Sequence, residues 1–139
     1  MKLPYCMVNG GNNKDENMYT VKIIHEFIHG PIWVYGPDGV SVWEYPLIHN
    51  DSILTTLNEK AADMFDGYYE FDTHDVPCWF DHEKEKAEKE IMLDLITQIV
   101  DRLDEINDGS FVVEDLESER LRALREESIQ KSISAYIVN

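Results

Sequence analysis

Two rhythms divide the chain. From Tyr19 to Ile48 the apolar residues are closely spaced and mostly β-branched or aromatic, as YTVKII and then PIWVYGPDGVSVWEYPLI, a pattern that favours strands. Gly36-Pro37-Asp38-Gly39 stands between two such runs with turn-forming residues, so a hairpin is expected there. Further on the spacing becomes helical. Ile53, Leu57, Ala61 and Met64 or Phe65 recur every three or four positions behind the cap candidates Asn50, Asp51 and Ser52. They predict a helix over about 52–65, closed by Gly67. Met92, Ile96, Ile99, Leu103 and Ile106 follow at intervals of four and three. They predict a longer helix from about 81 to 107, with Glu83 and Glu85 at the positive end of its dipole and Asn107-Asp108-Gly109 as its stop. After a short FVV, Leu121, Leu124 and Ile129 predict a last helix over about 116–135.

Two stretches follow neither rhythm. Residues 9–17, NGGNNKDEN, are polar and rich in Gly and Asn, which suits a flexible arm over 1–17. Residues 66–81, DGYYEFDTHDVPCWFD, contain Pro77 and no clean period, and read as a loop or an irregular edge segment. The expected fold class is α+β: an N-terminal antiparallel sheet of about three strands packed with two or three helices. A single domain over 18–139 is expected, β-rich to residue 49 and mainly helical and acidic from residue 50.

Composition supports a folded core and adds an unusual charge. Of 139 residues, 43% are apolar and 11% aromatic, as in globular proteins. Against 12 basic residues stand 28 acidic ones, for a formal net charge of −16. A field of that sign repels phosphate, so direct binding to nucleic acid or to an anionic membrane is not expected, and a basic protein partner is. Residues 61–119 alone hold 19 acidic and 4 basic side chains. Cys6 and Cys78 are far apart with no CxxC pair, and there is no signal-like start or long apolar run, so a cytoplasmic location is expected.

One short stretch carries candidate chemistry. His25-Glu26-Phe27-Ile28-His29 resembles the active-site helix of zincin metallopeptidases across six of 139 residues, counting Gly30. The resemblance implies that His25 and His29 bind zinc and that Glu26 is the general base. A third ligand would come from Glu44, His49, Asp51, Asp66 or His74. The neighbours favour another conformation: Tyr19 to Ile24 are strand formers and Gly30-Pro31 follows at once. On a strand, four residues at about 3.3 Å each place the two imidazoles roughly 13 Å apart, too far to share one ion. A half-exposed strand with no metal is therefore the first expectation, and a zinc peptidase the alternative. His74, Cys78 and His82 recur at intervals of four, a second soft-ligand pattern, but Pro77 interrupts the helix it needs. Cys78 is expected to pack as a small apolar residue beside Trp79, and Trp79 and Phe80 in the core.

The acidic aromatic segment is the other candidate. Asp66, Glu70, Asp72, Asp75 and Asp81 alternate with Tyr68, Tyr69, Phe71, Trp79 and Phe80, and no Lys or Arg intervenes. Carboxylates so spaced can stand where a basic groove expects phosphates, while aromatics fill pockets made for bases. Of Tyr68 and Tyr69, at least one is expected to be exposed. A small acidic α+β protein of this kind resembles the inhibitors that bacteriophages direct against CRISPR effectors and restriction enzymes. That resemblance, one of overall character, implies a non-enzymatic inhibitor without a cofactor, acting in the host cytoplasm on a basic nucleic-acid-binding protein. The expected contact residues are Asp66, Tyr68, Tyr69, Glu70, Asp72 and Asp75, continued by Asp81, Glu85 and Glu88 on the face of the following helix. An acidic antitoxin or adaptor would show the same charge.

Overall fold

A computed structural model describes residues 17–124. Nearly all of the expected arm, Cys6, and the last helix beyond residue 124 with Arg125 and Ile129 lie outside the described residues.

Strand β1, Tyr19–Ile23, alternates as its sequence requires: Val21 and Ile23 are fully buried, while Thr20 and Lys22 face the other side of the sheet. It pairs antiparallel with β2, Ile32–Tyr35, in a register that sets Thr20 opposite Tyr35 and Ile23 opposite Ile32. Gly36-Pro37-Asp38-Gly39 does make a tight turn, with the Gly36 N–H donating to the Val40 carbonyl at 2.9 Å. The run after it, however, returns for a single bridge, Tyr35 to Ser41. Pro46 then opens a short helix, α1 (Pro46–His49), and carries the chain off the sheet edge.

The third strand comes from the other end of the domain. Phe111–Asp115, β5, lies parallel to β1, with Tyr19 opposite Phe111 and Ile23 opposite Asp115, so the strand order is β2-β1-β5. The sheet is mixed rather than wholly antiparallel. The class is α+β, as the two rhythms imply.

Helix α2, Ser52–Asp66, is capped by the Asp51 carboxylate, which accepts from the Leu54 N–H at 2.9 Å. The same carboxylate takes a two-point contact from Arg102, at 2.7 and 3.1 Å, which holds its pKa below the ordinary range. Leu54, Leu57, Ala61 and Phe65 form the buried face of α2. The predicted helix over 81–107 is interrupted at Glu88 into α3 (His82–Ala87) and α4 (Lys89–Ile106). Met92, Ile96, Ile99 and Leu103 of α4 close the core against α2 and the sheet, with Phe111 and Leu121 completing it. Residues 116–124 form a final helical segment, α5.

Most of the stretch 66–81, residues 69–80, is a regular β-hairpin and not a loop or an irregular edge. Strands β3 (Tyr69–Thr73) and β4 (Val76–Phe80) pair antiparallel, with Tyr69 opposite Phe80 and Thr73 opposite Val76. The two-residue connection, His74-Asp75, has φ of 53° and 60°, the left-handed pair that suits the twist of such a turn. Asp and His adopt that region more readily than most residues. Pro77 is tolerated because a two-stranded ribbon has outer edges where no N–H is needed. No helix among the described residues is long and apolar enough to cross a membrane.

Candidate functional site

The hairpin is anchored at its base and exposed at its tip. Tyr69 and Phe80 pack 4.9 Å apart and reach Phe65 of α2, while Phe71, Asp72, Thr73, His74, Asp75 and Val76 are exposed. On one face Phe27 meets Tyr69 at 4.7 Å and Phe71 at 5.8 Å. On the other, the His74 ring stacks on Trp79 at 3.9 Å and its Nε2 lies 3.4 Å from Glu70. Trp79 is thus half-buried by the hairpin itself and lies outside the core, Phe80 packs against the core as expected, and Cys78 is exposed rather than packed.

The expected contact residues separate into two groups. Glu70, Asp72 and Asp75 reach solvent along the hairpin, with the half-buried Tyr69 beside them. Tyr68, in contrast, is buried, and its hydroxyl donates to Glu88 at 3.0 Å. Burial first, then the Glu88 carboxylate, pushes its pKa up. Glu85 is buried as well, and accepts from Arg120 at 2.6 Å. Neither Tyr68 nor Glu85 presents its side chain to a partner. Asp66 accepts from the Ile28 N–H, and Asp81 caps α3 through the Lys84 N–H.

The solvent-facing acids of the long helix lie further along it. Glu90, Asp94, Asp101 and Asp104 are all exposed, and at 100° per residue they share one stripe roughly 21 Å long. Sequence reasoning selected Glu85 and Glu88 in their place. The signal was available: Glu85 continues the buried series Lys89, Met92, Ile96, Ile99 and Leu103 at intervals of four and three, so it belongs to the inner face.

Residues 24–31 form neither a helix nor a strand. β1 stops at Ile23, and His25 to Gly30 make a turn held by Asn58, whose Oδ1 accepts from Ile32 N–H at 3.0 Å and whose Nδ2 donates to the His29 carbonyl at 3.4 Å. Gly30 has a φ of 88°, and a Cβ there would stand 2.5 Å from Asn58, so the clamp requires glycine. The half-exposed strand expected for the two imidazoles is replaced by two unlike sites. His25 is buried, stacked on Phe65 at 4.4 Å, with Nε2 3.3 Å from the Met92 sulfur. Desolvation lowers its pKa to about 4, against the opposing pull of Glu117. His29 stacks on Trp33 at 3.6 Å and donates through Nδ1 to the Gly30 carbonyl.

Among the described residues, no group of three or more His, Cys, Asp or Glu side chains is placed to hold a metal ion. The possible third ligands are engaged elsewhere or remote in role: Asp51 caps α2, Asp66 holds Ile28, His74 sits on the hairpin, and Glu44 is exposed. His49 alone shares a groove with His29. Its pKa is lowered by burial and then by the His29 charge.

A buried ionic cluster lies behind this turn. Arg120 donates to both oxygens of Glu117, which is fully buried, and to Glu85. Glu117 in turn accepts from the His25 backbone N–H at 3.1 Å. These carboxylates fix α3, α5 and the turn to one another and do not meet solvent. Comparison of the chain with protein-family models, with curated proteins and with solved structures finds no match.

Proposed function

We propose that the protein is a non-enzymatic acidic binding protein that docks on the nucleic-acid-binding surface of a basic partner, with a CRISPR effector or restriction enzyme as the partner type. One observation carries the reading. The hairpin holds Asp72 and Asp75 exposed and Glu70 half-buried beside Phe71, 54% exposed, and Val76, 40% exposed, with no Lys or Arg from residue 66 to 81. Carboxylates steer the encounter with a cationic groove, and the exposed apolar side chains supply area that excludes water once it forms. The stripe on α4 extends the field that draws such a groove in.

The test is competition. A panel of purified defence nucleases is incubated with labelled duplex at low salt, and the protein is titrated in. At least one nuclease is expected to release its duplex, with an affinity that falls steeply as salt rises. Replacing Glu70, Asp72 and Asp75 together by Asn or Ser should weaken that competition by orders of magnitude, mainly through a slower association rate. Asp66 is left intact because it holds the neighbouring turn. Retention of duplex by every nuclease in the panel, or undiminished competition by the triple variant, would refute the reading.

A further inference from the structure

The turn that stands in place of the expected strand does something costly. Ile28, a β-branched residue, is held at a φ of 74° with its side chain 75% exposed. Branched side chains adopt this conformation only when the surroundings impose it, and such strain concentrates at functional positions. Here it is imposed by the Asp66 carboxylate on the Ile28 N–H and by the Asn58 clamp on the residues that follow.

Beside Ile28 runs a groove of about 520 Å³. Its walls are Phe27, Ile28, Trp43, Ile48 and Leu54, and Trp43 is 69% exposed. This is the character of a pocket for a buried side chain, apolar within and of a size that accommodates one large anchor. With the lining imidazoles of His29 and His49 unprotonated, its charge is negative: Glu59 lines it, Glu26 and Glu44 adjoin Phe27 and Trp43 in the chain, and no Lys or Arg is among the lining residues.

We infer that this groove is a docking site for a large apolar side chain, of the Phe or Leu kind, carried on a partner segment with Lys or Arg on either side. The apolar anchor replaces water against Phe27, Ile28 and Trp43, over a floor closed by the buried Ile48 and Leu54. The flanking cations lie over the exposed Trp43 indole and toward Glu59, where ring face and carboxylate both favour positive charge. Phe27 lines this groove and also packs on the hairpin, so both surfaces can engage one polypeptide. The inference deepens the reading of the hairpin as a docking surface for a basic protein, and takes from it only the partner's charge.

The test uses the isotope-labelled full chain and three capped peptides followed by backbone amide shifts at low salt: Lys-Lys-Phe-Lys-Lys, Lys-Lys-Ser-Lys-Lys and Glu-Glu-Phe-Glu-Glu. The first is expected to shift Ile28, Trp43 and Thr55 and to bind at least about tenfold more tightly than the serine peptide, the worth of one buried large side chain. The acidic peptide is expected to leave the spectrum unchanged. Ile28→Gly, which removes the anchor contact while relieving the backbone, and Trp43→Ala should each abolish the preference for Phe over Ser. The hairpin triple variant should weaken both basic peptides and keep their ratio. Unchanged peptide affinities in that variant would count against the hairpin alone. Equal binding of the Phe and Ser peptides, no binding of either, or shifts confined to residues 69–80 would overturn the groove.

Discussion

Two sets of carboxylates share the same half of the chain and have opposite physical roles. Glu85 and Glu117 are buried around Arg120, and Glu117 also receives the His25 N–H. Asp72 and Asp75 stand on a two-stranded ribbon in solvent, with the half-buried Glu70 beside them. The first set is costly to desolvate and is tolerated because each member is paired. The second set costs the fold little and projects its field outward. Net charge alone cannot distinguish them. The comparison teaches that acidity becomes a binding property only where the fold leaves it unburied.

The largest expected effect lies in the buried set. Arg120→Met strands two buried carboxylates, and should lower unfolding stability by about 3 kcal/mol or more, read from urea denaturation. A loss under about 1 kcal/mol would show that the cluster is wetter than it looks, and would dissolve the contrast. Next comes acid. The folded protein holds His25 near a pKa of about 4, against an ordinary 6.5. The unfolded chain therefore binds the extra proton between those values, and stability present above pH 6.5 is lost as pH falls toward 4, by about 3 kcal/mol. His25→Phe preserves the ring stacking and the backbone bond to Glu117, and is expected to flatten that part of the stability profile. A parallel profile for the variant would assign the acid sensitivity to the carboxylates.

Smaller effects follow at the edges. Asp51→Ala removes the cap of α2 and the partner of Arg102 together, for a loss of about 1 to 2 kcal/mol. Asp51→Asn, which can still cap, should lose less, and equal losses would place the effect in the ion pair alone. Least of all, the triple replacement of Glu70, Asp72 and Asp75 should change stability by no more than about 0.5 kcal/mol per site. If it unfolds the hairpin, as seen by loss of amide protection at residues 69–80, those acids belong with the structural set after all.

Much of the fold was legible because it rests on local period. The cap at Asp51 and its apolar series place α2 to within a residue, and the series of α4 places that helix's end but not the break at Glu88 that separates it from α3. The class followed from the change of rhythm near residue 50. What misled was any feature decided by distant partners. VSVWEY has strand residues and touches the edge of β2 only at Ser41 and Val42 before Pro46 turns the chain away, whereas the short FVV is a strand because β1 lies beside it. Residues 66–81 hid a hairpin because the turn uses His74-Asp75 in place of Asn-Gly, and Pro77 masked the second strand. His25-Glu-x-x-His29 was ambiguous between two regular structures and is neither, since the Asn58 clamp lies on another element. At the site, the exposed acids of the hairpin were readable from composition. Glu85 falls on the inner side of a helix stripe that its spacing already marks, whereas the burial of Tyr68 follows from the turn between α2 and the hairpin and from Glu88, a partner 20 residues away.

The parallel pairing of β1 with β5 also sets the order in which the chain can assemble. Residues 19–23 wait for residues 111–115, so the central sheet is among the most non-local contacts in the domain, and such pairings fold slowly because a long loop must close first. During synthesis β1 and β2 emerge early with Val21, Ile23 and one strand edge uncovered, an aggregation-prone intermediate by its nature. The β3-β4 ribbon, by contrast, closes through two residues and needs nothing downstream to register. The surface proposed for binding thus closes through local contacts alone, whereas the sheet that packs on the core is completed only when β5 arrives.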